Sequence, residues 1–116
     1  MGRLSTHVLD TANGRPARGV AVTLDRVDGD RLERVTSAVT NADGRTDAPL
    51  MTGDAFRAGT YLLTFDIGTY FTALNQPGAG QFLGHVPIRF TIADPDGHYH
   101  VPLVCTPWSY STYRGS

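Results

Sequence analysis

Lysine is absent from this 116-residue chain, whose 10 basic side chains are all arginine. Without an ε-amine, Schiff-base catalysis is excluded. Cysteine is nearly absent: Cys105 stands alone, so neither an intramolecular disulfide nor a thiolate-rich zinc site can form, and a buried inert thiol is expected. A dominant charge is also lacking. The 10 basic residues face 11 acidic ones, scattered without long like-charge runs, for a formal net charge of −1. That balance offers no electrostatic footprint for nucleic acid or a membrane surface, which leaves a small molecule or another protein as partner. No apolar run approaches the roughly 20 residues of a membrane span. The opening Met1-Gly2-Arg3-Leu4-Ser5-Thr6-His7-Val8 has no charged region followed by an apolar one, so no secretory signal is read and a cytoplasmic location is expected. Glycine-rich phosphate loops, His-Glu-x-x-His, Cys-x-x-Cys and Gly-x-Ser-x-Gly are missing, which removes sequence support for nucleotide, common metal and serine-elbow chemistry.

What is present is β-structure. Hydrophobic residues make up 41% of the chain, and the length suits one domain over residues 1–116. Short β-patterned runs separated by Gly, Asp, Asn and Pro recur along it, the signature of an all-β sandwich. Strands are expected over 4–10, 19–27, 31–40, 60–67, 86–93, 98–105 and 110–116, with 51–58 ambiguous. Alternation puts Tyr61, Leu63, Phe65 and Ile67 on one face of their strand, and Val86, Ile88, Phe90 and Ile92 on one face of theirs. Asp28-Gly29-Asp30 and Asp94-Pro95-Asp96-Gly97 read as hairpin turns, and Asn41-Ala42-Asp43-Gly44 as a turn leading into Arg45. The polar run 31–40 suits a sheet edge, where charge discourages aggregation. Tyr70-Phe71-Thr72-Ala73-Leu74-Asn75 lacks a period of two and precedes the glycine-rich Gln76-Pro77-Gly78-Ala79-Gly80, which predicts a single short helix.

Period two over 98–105 puts His98, His100, Pro102 and Val104 on one face, and Tyr99, Val101, Leu103 and Cys105 on the other. The second face belongs in the core, so both imidazoles look toward solvent or a second subunit. With ordinary pKa values of about 6.5, two imidazoles exchange protons at neutral pH, which suits general-base work on water. A solvated surface pair and a metal site remain open on the same residues. His7 lies mid-strand on the face opposite Leu4, Thr6 and Val8, and the sequence does not say where that face points. Arg45 is either a solvated loop charge or, if it reaches an imidazole or a carbonyl oxygen, a rigid fork that stabilises an oxyanion. Tyr113-Arg114-Gly115-Ser116 adds a phenol, a guanidinium and a hydroxyl beyond the two histidines. Ser111, Thr112 and Ser116 lack a nucleophile elbow and carry little weight as attacking groups.

Four blocks carry a resemblance that spans essentially the whole chain. Leu4-Ser5-Thr6-His7-Val8-Leu9-Asp10, Asp43-Gly44-Arg45-Thr46, His98-Tyr99-His100-Val101-Pro102-Leu103 and Ser109-Tyr110-Ser111-Thr112-Tyr113-Arg114-Gly115-Ser116, in that order, closely resemble the transthyretin-like family of 5-hydroxyisourate hydrolases. The terminal Tyr-Arg-Gly-Ser is the most specific of them. The resemblance implies a transthyretin-like sandwich of two four-stranded sheets with one short helix, assembled as a homotetramer, a dimer of dimers with active sites in a channel between dimers. It implies a hydrolase of 5-hydroxyisourate, an intermediate of urate breakdown; no cofactor is expected, and the lack of thiolate pairs, with histidines whose task needs a free nitrogen, makes metal independence the expectation. The family's catalytic residues fall on His7, Arg45 and His100; Tyr113 matches the channel tyrosine, and His98, Arg114 and Ser116 take substrate-contacting roles. Departures are confined to Thr106-Pro107-Trp108 and Val104-Cys105, and none removes a catalytic group.

Two other classes compete. A small-ligand carrier like transthyretin shares the fold but lacks this combination of His, Arg, His and Tyr-Arg-Gly-Ser. A structural sandwich module is suggested by Gly19-Val20-Ala21-Val22-Thr23-Leu24 followed by Thr40-Asn41-Ala42-Asp43-Gly44-Arg45, which also resemble accessory domains of adhesins and peptidases. Such a module has no use for the terminal motif.

Overall fold

In this computed structural model, which describes residues 2–115, the chain runs β1 (Arg3–Asp10), β2 (Arg15–Pro16), β3 (Ala21–Asp28), β4 (Arg31–Val39), β5 (Met51–Thr52), β6 (Gly59–Asp66), α1 (Ile67–Ala73), β7 (His85–Ile92), β8 (His98–Cys105) and β9 (Tyr110–Thr112). Alternation decides what lies inside. Leu4, Val8, Leu103 and Cys105 from one sheet meet Val22, Leu24, Leu63 and Phe65 from the other, all essentially free of solvent. Burial of each such aliphatic or aromatic side chain is worth about 1.5–3 kcal/mol, so the two-residue period is enforced by the core itself. Among the described residues no helix is long and apolar enough to cross a membrane.

The first sheet has the order β2-β1-β8-β9, and β5 also pairs with β1. β1 and β8 run parallel over their full length, from Arg3↔His98 to Asp10↔Cys105. The other edge of β1 is covered piecewise: β5 at its start, β2 at its end, and between them a bridge from Arg45 to His7. The split partner is why this sheet has five strands where the resemblance implies four. The second sheet is antiparallel throughout, in the order β4-β3-β6-β7, with polar β4 at an edge as expected.

Three expectations shift. The helix begins at Ile67 rather than Tyr70, because Asp66 caps it, its carboxylate accepting from the Thr69 N–H at 3.1 Å. Ile67, Tyr70 and Phe71, spaced for one helical face, are then buried together. The ambiguous stretch 51–58 splits into β5 and a 3₁₀ turn over Gly53–Ala55. Asp94-Pro95-Asp96-Gly97 closes no hairpin: β7 pairs with β6, β8 pairs with β1 and β9, and the turn crosses from one sheet to the other. The apolar β8 is a central strand whose two edges are already filled, so β7 has no place beside it. Tyr99 secures the corner, its phenol oxygen accepting from the N–H groups of Ala93 at 3.1 Å and Asp94 at 3.0 Å.

Candidate active site

The outer side of the first sheet gathers His7, Arg45 and His100. His7 comes from β1 and His100 from β8, both half-buried, with ring centroids 6.4 Å apart and planes at 41°. Arg45 arrives by a pinned turn. Asn41 Oδ1 accepts from the N–H of Asp43 at 2.9 Å and of Arg45 at 3.2 Å, while the Asn41 N–H donates to the Arg45 carbonyl at 2.7 Å. The Val8 N–H then donates to the Gly44 carbonyl at 2.8 Å and docks the turn on β1. Gly44 has φ +75°, and a Cβ there would run into the Val8 carbonyl oxygen, so only glycine brings Arg45 this close.

Burial and a nearby charge lower the proton affinity of both imidazoles. Burial, then the Arg45 charge, pushes His7 below the ordinary histidine range, with a backbone hydrogen bond and the charge of Asp43 opposing. His100 is lowered by burial, by Arg45 and by His7. Neutral imidazoles beside a fixed guanidinium can accept a proton while the guanidinium faces negative charge. A polar cleft of 180 Å³ is lined by Arg45 and by Ser5, the hydrogen-bond partner of His100, with Arg3 and Asp47 among others; neither imidazole lines it.

The remaining candidates are distributed differently. His98 is exposed on the same outer face, two residues before His100. Tyr113 is exposed, and with Arg114 it lines a more apolar groove between β7 and β8 that contains neither His7 nor His100. Arg114 lies over the Tyr99 ring, 4.3 Å from its centroid, and donates to the His98 carbonyl at 3.2 Å, so within one chain it is engaged away from the imidazole pair. Ser116 lies outside the described residues. Three contributors were not singled out from sequence: Asn41, which pins Arg45, and Ser5 and Gly115, which flank His100. The Asn-Ala-Asp-Gly turn carries a signal for Asn41, and the two-residue spacing of Ser5 and His7 puts both on one face.

Known proteins resemble this chain along its length. It is 59% identical to a 5-hydroxyisourate hydrolase of Deinococcus radiodurans over 97% of this chain and 95% of that one. The structure of Klebsiella pneumoniae 5-hydroxyisourate hydrolase superposes with a TM-score of 0.83 at 38% identity, each chain covered completely. A crystal structure of (S)-allantoin synthase gives a TM-score of 0.93 at 46% identity over 99% of this chain, which spans 44% of that longer one. Residues 4–115 match the family model described as HIUase/Transthyretin, and the chain belongs to that family.

Proposed function

We propose that residues 1–116 act as a single hydrolase domain that opens the lactam ring of 5-hydroxyisourate, giving 2-oxo-4-hydroxy-4-carboxy-5-ureidoimidazoline, without a cofactor. The observation that carries this reading is the cluster of two imidazoles and one guanidinium, with both imidazoles lowered in pKa. One imidazole takes a proton from water as its oxygen adds to the C6 carbonyl. Arg45 orients the reactants and stabilises the oxyanion that forms. As the carbonyl is restored the ring C–N bond breaks, and the imidazolium returns its proton to the departing nitrogen. A ligand carrier needs no proton acceptor and an accessory module needs no such cluster. Neutral imidazoles beside a guanidinium serve neither role.

Tyr113, His98, Arg114 and Ser116 complete the site in a cytoplasmic homotetramer, a dimer of dimers. The support is geometric: β7 and β9 are each an edge strand of their sheet, and the groove lined by Ile88, Phe90, Thr112 and Tyr113 runs between them. A second copy can extend both sheets there at once, and a further dimer then covers the histidine face. The test is to generate 5-hydroxyisourate from urate with urate oxidase and follow its ultraviolet decay. Decay should accelerate in proportion to added protein; a rate equal to spontaneous hydrolysis overturns the reading.

A further inference from the structure

Among the described residues, the His100 ring is held along two edges, and no hydrogen bond is made at its tip. On one edge Ser5 Oγ lies 2.8 Å from Nδ1, delivered by the parallel register that sets Ser5 opposite His100. On the other edge lies the terminal segment. Gly115 bridges His100, its N–H donating to the His100 carbonyl at 2.7 Å, and a Cβ at this glycine would come within 2.7 Å of His100 Cδ2. Nδ1 and Cδ2 are the two ring atoms bonded to Cγ, so these contacts bracket the imidazole. Turning the ring over would present carbon to Ser5 and forfeit the hydrogen bond. Among the described residues Nε2, at the far end, has no hydrogen-bond partner and is the nitrogen left for chemistry.

A serine hydroxyl either donates or accepts. If Ser5 donated to Nδ1, Nε2 would already carry the ring proton and could take no other. If Ser5 accepts from Nδ1–H, Nε2 carries the lone pair, and the same bond persists once the ring becomes an imidazolium. Among the described residues, the charged and titratable groups bearing on His100 are Arg45 and His7. A neighbouring cation favours a lone pair over an N–H on the open nitrogen.

We propose that Ser5 is a positioning residue, which accepts a hydrogen bond from His100 Nδ1–H and so locks the tautomer whose Nε2 takes the proton from water. In this arrangement Gly115 is glycine because the opposite ring edge rests on its backbone. The proposal rests on the hydrolase reading above, and the two can fail separately.

The deciding measurement is long-range proton–nitrogen NMR of the histidine-labelled full chain, with the His100 signals identified by their loss in His100→Gln. The wild type should show Nδ1 protonated and Nε2 bare. Ser5→Ala should give averaged tautomers and lower kcat by about 10-fold to 100-fold, the scale for partners that orient an imidazole, with KM little changed. Ser5→Thr keeps the hydroxyl and should recover most of kcat. A wild-type Nε2–H tautomer overturns the proposal, as does folded Ser5→Ala with undiminished kcat. Should Ser5→Ala fail to fold, the wild-type tautomer decides alone. Loss of the hydrolase reading would show separately, as a wild-type protein that leaves 5-hydroxyisourate decay unchanged.

Discussion

Strand β1 carries a polar cluster on each side of its sheet, and the two are built on opposite terms. On the inner side Asp10 is 1% exposed and every carboxylate oxygen is engaged: Oδ1 by the Asn13 N–H at 3.0 Å, Oδ2 by Asn13 Nδ2 and the Tyr70 hydroxyl, each at 2.7 Å. Burial and then Asp10 push the Tyr70 phenol up to about 12, and the Cys105 thiol rises to about 12 for the same two causes. Neither gives up its proton at neutral pH. On the outer side burial acts in the other direction, because it disfavours imidazolium, and His7 and His100 are left neutral and receptive. Groups that saturate one another cement a fold. Groups that keep a nitrogen uncommitted can move a proton.

The sharpest test of this contrast is substitution on each side. His7→Ala, Arg45→Ala and His100→Ala should each lower turnover of 5-hydroxyisourate by roughly 100-fold or more, the usual scale for losing an acid–base or oxyanion group. Their thermal midpoints should stay near the wild type. Combined, they should lose less than the product of the single losses, as groups acting as a unit do.

Tyr70→Phe should do the reverse. Removing the hydroxyl leaves the buried Asp10 carboxylate short of a donor, a loss of about 1–3 kcal/mol by denaturant titration, with kcat/KM unchanged. A Tyr70→Phe protein that lost turnover at full stability would erase the division between the two sides.

Smallest and most diagnostic is the response to pH. Both site histidines titrate below their ordinary value of about 6.5, so kcat/KM should be level from neutral pH upward and fall only on the acid side of that value. The unfolded chain binds protons at these histidines more readily than the folded one, so they add stability that is present above the unfolded value and lost as pH falls through the folded one. An activity midpoint above the ordinary value would contradict the lowered imidazoles.

Much of this was legible in the chain itself. The period of two put His98 and His100 outside and Tyr99, Val101, Leu103 and Cys105 inside, because a strand side chain has only two directions to choose from. The turn before Arg45 was legible from Asn41 and Gly44; its docking on β1 was not, since that depends on which strand edge stands open. Ile67 fits both a strand and a helix period, and the Asp66 cap decides for the helix. The partner of β8 could not be read at all. Strand pairing is non-local, so the hairpin expected at Asp94-Pro95-Asp96-Gly97 gave way to a sheet-crossing corner, and the bond from Ser5 to His100 stayed hidden with it.

The parallel match of β1 with β8 also sets a schedule. Ser5 and His100 stand 95 positions apart, so the site is joined from two strands far apart along the chain. β1 can pair along its full length with its parallel neighbour only once the whole of β8, through Cys105, has been made. Closing a loop of that length costs about 4 kcal/mol of chain entropy beyond a constant, a cost that structure in the intervening second sheet lowers by shortening the gap. A chain that lacks β8 therefore has no partly working site: it loses His100 together with the strand that pairs along the one carrying His7.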